Sequence, residues 1–461
     1  MKRTSEIAAA VILVSAAVIV YHNALSAYFF DDDFQWLVGS WSFRSSQLVA
    51  IGALSHFYRP VIDLYFAAAT PLFRGSPVLF HLASILLHAA NALVIFALAR
   101  LVSRNTLYGF LAALFFVVQP SDVDTIAWVG ALAEAVGAFF GCLSLFFFLK
   151  WLMKGRARWR ELSVLLFLLA LLTHESSVIF LPVLALADWA FVRRGENAPP
   201  STRGADHSPS TRGADHSPST RGADLPGPRG PGWRHTVLIY APYVVLTLMY
   251  LSVDLVVNSK NYLVSQGHYT IGLHVVRNAF DYIDALYVGR RDALNYAVIA
   301  IGLALLILRG NRRARFATWW MLLALAPFLF FNWGNTSRYL YQPAIGFSML
   351  LAEGVVYVDR VLRPRVPSLA RSAILTALVA GITVRFALFA MANVASFAER
   401  TQTYRNYTAH FREIHGDVPS HTTVAPDARL EIKMPHRFVN AAVQWEYRDP
   451  TIQITPYEDQ P

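Results

Sequence analysis

Long apolar runs alternate with short polar turns from residue 7 to residue 392. A helix rises ~1.5 Å per residue, so a bilayer needs roughly 17 to 25 apolar residues per crossing. The pattern predicts about eleven transmembrane helices, near 7–27, 78–99, 106–119, 131–151, 161–173, 177–192, 236–256, 293–309, 316–332, 341–358 and 372–392. The third, fifth and sixth fall short of a full crossing, which predicts tilted or broken helices within 106–151 and 161–192. The expected fold class is an all-α polytopic membrane protein whose membrane domain covers residues 1–392.

Three stretches interrupt the alternation. Residues 28–77 form a long first loop. Residues 195–234 contain a nine-residue unit, Ser-Thr-Arg-Gly-Ala-Asp-His-Ser-Pro, repeated over 201–224 and followed by a Pro/Gly-rich run. That segment has no apolar face to bury and is expected to be a disordered cytoplasmic linker. Residues 393–461 read as a polar tail of mixed or β character, with strand-like stretches at 422–424 and 452–454. So short a segment has only a marginal core of its own, and it is expected to pack on the outer face of the membrane domain.

Charge sets the orientation. The chain carries 40 Lys and Arg against 30 Asp and Glu, a net +10, within a composition that is 55% hydrophobic. The basic residues fall in alternate short loops: Arg100 and Arg104; Lys150, Lys154, Arg156, Arg158 and Arg160; Arg193 and Arg194; Arg312, Arg313 and Arg315; Arg360, Arg363 and Arg365. This is the positive-inside pattern, whereas a nucleic-acid partner needs basic residues gathered on one face. The apolar run after Met1-Lys2-Arg3 is too long for a signal peptide and reads as an uncleaved first span. The expected location is an inner (plasma) membrane of bacterial type, with the distinctive polar motifs on the extracytoplasmic side. The single Cys142 excludes an internal disulfide and a Cys-based zinc site.

On that side lies the candidate chemistry. Asp31, Asp32 and Asp33 follow the first span, and acids kept at a membrane edge mark function. Successive helical residues point about 100° apart, so one or two of the three face a common cavity. Carboxylates crowded at a helix C-terminus have raised pKa values, which suits a general base; Asp31 and Asp32 are the candidates. Tyr58-Arg59-Pro60 offers a phosphate clamp in Arg59, whose planar fork pairs with phosphate oxygens, or a snorkelling side chain. His81 and His88 follow in the second span, His88 sharing a helix face with Asn91 in a way that suits helix-to-helix hydrogen bonding. Asp122 and Asp124, after Pro120, suit a divalent cation such as Mg or Mn, a sugar hydroxyl, or an ordinary polar turn. With Glu175 they are the available metal ligands. Glu134 lies inside an apolar run and needs a partner. His174-Glu175 lacks the second His of a zincin motif and reads as a cavity-lining pair. Arg338, flanked by Tyr339 and Tyr341, suits a lipid-linked phosphate.

In their order these motifs resemble the GT-C superfamily of membrane glycosyltransferases. They are most similar to the transmembrane and tetratricopeptide-repeat-containing O-mannosyltransferases and their bacterial relatives. Phe30-Asp31-Asp32-Asp33 resembles that family's Asp-Asp motif, Tyr58-Arg59-Pro60-Val61 its Tyr-Arg-Pro-Leu, and Phe80-His81 through His88 its Phe-His…Leu-His. Arg338-Tyr339-Leu340-Tyr341-Gln342-Pro343-Ala344-Ile345-Gly346-Phe347 is similar to its Arg-Tyr-Leu-Tyr-Leu-Pro-Ser-x-Gly-Phe. The likeness covers residues 1 to about 358. The family's His-Pro-x-His-x-Glu is here Gln119-Pro120-Ser121-Asp122-Val123-Asp124, its Lys-Glu is His174-Glu175, and the repeats are missing. The resemblance implies a polyprenyl-phosphate-linked sugar as donor and an extracytoplasmic acceptor. The alternatives are an O-antigen ligase or polymerase with a diphosphate-linked donor, and a flippase or transporter of lipid-linked sugar, which calls for inverted repeats around a midplane site.

Overall fold

The computed structural model describes residues 2–48, 57–193, 233–259, 267–332, 337–426 and 434–457. His56, the repeat at 201–224 and residues 333–336 lie outside these. In chain order the helices are α1 (Lys2–Tyr21), α2 (Asp33–Trp41), α3 (Pro60–Leu72), α4 (Pro77–Ser103), α5 (Thr106–Val117), α6 (Val123–Ala127), α7 (Leu132–Lys154), α8 (Ala157–Leu171), α9 (Phe180–Asp188), α10 (Trp233–Asn258), α11 (His274–Leu286), α12 (Ala293–Arg309), α13 (Arg312–Leu325), α14 (Tyr341–Leu362), α15 (Ser368–His415) and α16 (His436–Tyr447). Two short strands, β1 (Thr423–Val424) and β2 (Gln453–Ile454), pair in parallel.

Among the described residues six helices are long and apolar enough to cross a membrane: Thr4–Ser26, Pro77–Ser103, Val129–Lys154, Glu175–Val192, Thr236–Val257 and Ser368–His415. The pair Thr106–Val117 and Pro120–Ala127, bent by 49°, makes a seventh. The expected count of about eleven is therefore not confirmed, although each predicted run is mainly helical, the run 316–332 ending in a 3-10 turn and a bridge at Phe331. The remainder fail on length or charge: α8 carries Arg158, Arg160 and Glu161, α12 has 17 residues, α13 opens on Arg312 and Arg313, and α14 carries Glu353, Asp359 and Arg360. The bend after α5 has a local cause, since Pro120 supplies no N–H and cannot continue the ladder.

Helices α4, α5, α7 and α14 form the buried centre. Close approach needs small residues: a Cβ on Gly346 of α14 would lie 2.6 Å from the Ala317 carbonyl oxygen of α13, so only glycine allows that crossing. Ser144 and Ser163 exchange hydroxyl-to-carbonyl hydrogen bonds of 2.8 Å across α7 and α8. Each is worth about 0.6 kcal/mol in a membrane. At one end of the bundle the basic loops are tied to acids, with Arg100 paired to Glu6 and the Arg313 fork bound to Glu353 at 2.7 and 3.1 Å. The other end holds the acid turn after α1.

The tail differs from its expected form. Residues 393–415 continue α15 without a break, giving a helix of 48 residues, about 72 Å long against a hydrocarbon core of ~30 Å. No Gly or Pro occurs between Gly381 and Gly416 to stop it. The projecting half packs back on the loop after α1, and α16 with β1 and β2 closes over its far end through Tyr407, Phe411, Val439, Val443, Ile452 and Ile454.

Candidate active site

The turn that follows α1 is built around Asp33. The carboxylate is fully buried; one oxygen accepts the Phe30 N–H at 2.8 Å and the other the Gly130 N–H at 2.5 Å. Burial and the charge of Asp32 push its pKa well above the ordinary carboxylate range, against these two bonds. Asp33 was expected to line the substrate cavity; with both oxygens on backbone, it anchors the turn instead. A Cβ on Gly130 would lie 2.5 Å from Asp32 Oδ1 and 3.1 Å from Asp33 Oδ1. Glycine there lets the loop between α6 and α7 close on the acids.

With the turn pinned in this way, Asp31 takes a left-handed backbone, φ 47°, uncommon for a residue with a side chain. Its Oδ1 accepts a 2.6 Å hydrogen bond from the Tyr404 hydroxyl on α15. Burial raises its pKa to about 6, the Tyr404 bond and the charges of Arg338 and Arg437 opposing and Asp32 adding to the rise. Asp32 faces the basic side. Among the described residues its buried Oδ1 has no hydrogen-bond partner within reach. Burial raises its pKa, while the Arg338 and Arg59 guanidiniums pull it back.

The two arginines reach this point from different elements. Arg59, just before α3, binds Glu175 with its fork, Nε to Oε2 at 3.0 Å and Nη2 to Oε1 at 2.6 Å, and its guanidinium lies 4.2 Å from the Phe57 ring centroid. Arg338, before α14, lies between two aromatic faces, 5.0 Å from Trp128 and 5.1 Å from Tyr339, and donates to the Tyr339 hydroxyl at 3.1 Å. Weak hydration of a guanidinium makes such stacking favourable. Behind Glu175 lies a buried polar network. Ser176 and Gln342 each donate to Glu134 Oε2 at 3.0 Å, Gln342 also donates to Ser176 at 2.8 Å, and His174 Nδ1 is 2.8 Å from the Ser176 hydroxyl. Glu134 thus has the partners that an acid inside an apolar helix needs. Tyr58 adjoins this group, and the buried Tyr250 hydroxyl of α10 lies within electrostatic reach of Glu175, Arg59 and Tyr58.

Other sequence candidates are engaged in packing and helix-to-helix contacts. His88 joins Tyr341 (2.9 Å) and the Val117 carbonyl (3.2 Å), and Asn91 donates to the Ala135 carbonyl and to Tyr341. These are helix-to-helix bonds in the core, the role the sequence suited His88 to. His81 is fully buried at the start of α4, beside the Phe80 cluster. Asp122 is fully buried and accepts from Ser121 at 3.3 Å, while Asp124 accepts from Ser337. Glu175 is held by Arg59, and among the described residues no three His, Cys, Asp or Glu side chains come together as a metal-holding group. The triple Asp122, Asp124 and Glu175 therefore does not form a ligand set. Sequence reading missed Tyr404, Ser176, Gln342, Gly130 and Tyr250; each gains its meaning from a partner far away in the chain.

No family model matches the sequence, and no curated protein matches it. Solved structures do. The chain is similar to the archaeal oligosaccharyltransferase AglB from Archaeoglobus fulgidus in complex with an inhibitory peptide and a dolichol-phosphate, with a TM-score of 0.50 and 13% identity over 90% of this chain and 59% of that one. The Archaeoglobus fulgidus oligosaccharyltransferase tethered to an acceptor peptide containing the NVT sequon via a disulfide bond gives a TM-score of 0.50 and 13% identity over 90% of this chain and 58% of that one. The chain thus spans less than two thirds of the length of the structures it matches. At this identity the likeness is one of fold: an integral membrane protein whose helical arrangement resembles that of the oligosaccharyltransferase.

Proposed function

We propose that the protein is a GT-C-type membrane glycosyltransferase that moves a monosaccharide from a polyprenyl-phosphate donor to a hydroxyl of a protein, lipid or glycan at the extracytoplasmic face of a bacterial-type inner membrane. One observation carries this reading: two guanidiniums, Arg338 and Arg59, act on the buried Asp32 carboxylate beside a second carboxylate, Asp31, at one end of a bundle that resembles the oligosaccharyltransferase in fold. A lipid phosphate is already a weak base and leaves without a general acid. The reaction then needs a base for the acceptor and cations for the departing phosphate.

Asp31 takes the acceptor proton, and the hydroxyl oxygen attacks the anomeric carbon. The bond from that carbon to the phosphate oxygen breaks, its electron pair goes to the polyprenyl phosphate, and Arg338, assisted by Arg59, neutralises the charge. The proton remains on Asp31 until solvent removes it. Asp31 is the better base because its carboxyl is the less enclosed and titrates near 6. Asp32 balances the charge of the two arginines.

The test is transfer of labelled sugar from a panel of polyprenyl-phosphate and polyprenyl-diphosphate donors to envelope material, with wild-type, Asp31→Asn and Asp32→Asn membranes. The reading expects transfer from one monophosphate donor and a loss of about 10²–10⁴-fold in Asp31→Asn. Transfer from diphosphate donors only, or at full rate in both variants, would overturn it.

A further inference from the structure

We infer that Tyr404, on the part of α15 that projects beyond the membrane, is a positioning residue for the Asp31 carboxylate, so that the last long helix completes the active site. The inference rests on Asp31 as the base in the function proposed above. It begins from geometry: the phenol donates to Asp31 Oδ1 at 2.6 Å. A carboxylate with one oxygen so held has the other to take a proton, and its plane is fixed relative to the acceptor.

The phenol is itself held firmly. Its ring packs against Phe34 at 5.3 Å and edge-on to Phe30 at 5.6 Å, which brackets the acid turn on both sides. One helical turn earlier, Thr401 Oγ1 accepts the Tyr28 N–H at 2.9 Å, and Gln402 donates to the Ser26 carbonyl at 3.1 Å. The projecting helix is thus fastened to residues 26–28, immediately before the turn. Asp31 adopts its left-handed backbone between these fastenings and the Asp33 anchor. Non-glycine residues keep such a conformation only where the surroundings over-determine it.

The groups that face Asp31 are Asp32 and Asp33 from its own turn, Arg338 from before α14, Arg437 from the start of α16, and Tyr404 from α15. Of these, Tyr404 is neutral. A hydrogen bond to the charged form favours ionisation, so the phenol keeps the base ionised in the neutral range without bringing in a charge that would compete for the donor phosphate.

Tyr404→Phe retains the packed ring and removes only the hydroxyl. The direct measurement is a carboxyl infrared difference titration, with the Asp31 band identified by its absence in Asp31→Asn. The expected result is an upward move of the Asp31 pKa by about one unit in Tyr404→Phe. An unmoved band overturns the inference whatever the activity. The same change shifts the acidic limb of kcat/KM upward by about one unit, a loss of about tenfold below pH 6 that vanishes near pH 8; a loss equal at every pH counts against positioning. If the infrared band moves and the rate profile does not, the positioning stands and Asp31 is not the base.

Discussion

Asp31, Asp32 and Asp33 are chemically identical and adjacent, yet the fold gives each a different task. The difference lies in what meets each carboxylate: a phenol for Asp31, two guanidiniums at a distance for Asp32, two backbone N–H groups for Asp33. For Asp33 this distinction is testable apart from catalysis. An asparagine offers one oxygen and turns its NH₂ toward the second backbone N–H, leaving that buried donor unmatched. Asp33→Asn is expected to lose about 2–3 kcal/mol of stability, seen as a lower melting temperature in detergent, whereas Asp32→Asn relieves a buried charge and melts near or above wild type. Equal melting of wild type and Asp33→Asn would remove the anchor role.

Among the elements, α15 shows best what the sequence made legible. Its apolar span reads clearly, and hydropathy falls after residue 392, which suggested that the helix ended there. Beneath the polar surface, however, Val394, Phe397, Thr401, Tyr404, Thr408 and Phe411 are buried at spacings of three and four, the stripe of an amphipathic helix. The three-and-four spacing of these residues carries that signal, and mean hydropathy does not. The acid turn, Arg59, Arg338 and Glu134 were legible because charge near an apolar run is costly and therefore stands out. The pairing of Arg59 with Glu175, of Tyr404 with Asp31, and of Gly130 with Asp33 was not, because nothing local to either partner encodes a contact made across the bundle. Continuity of α15 has a consequence. Glu399→Pro, at an exposed position between the span and Tyr404, removes one ladder bond and costs about 3 kcal/mol locally. It is expected to lower transfer at least tenfold while membrane insertion is kept, with Glu399→Ala near wild type; full activity in the proline variant would separate the projecting helix from the site.

Over the whole molecule, the two ends of the bundle are electrically unlike. One end holds Arg100, Lys150, Arg313 and Arg363 at helix ends, Arg100 and Arg313 bound to carboxylates of neighbouring helices and Arg363 to Asp359 one turn earlier; the other holds the acid turn, Arg59, Arg338 and the modules formed by α15 and α16. The positive-inside rule assigns the basic end to the cytoplasmic side, and the proposed transfer reaction requires the acid end to face outside. The lone Cys142 is fully buried, so single cysteines can report this arrangement without interference. Ser46→Cys lies at the site end and Ala157→Cys at the basic end, both exposed. In intact right-side-out cells a membrane-impermeant maleimide is expected to label Ser46→Cys at once and Ala157→Cys only after permeabilisation, with the native Cys142 silent in both states. The reverse pattern would put the acids in the cytoplasm and leave an extracytoplasmic transfer reaction without its base.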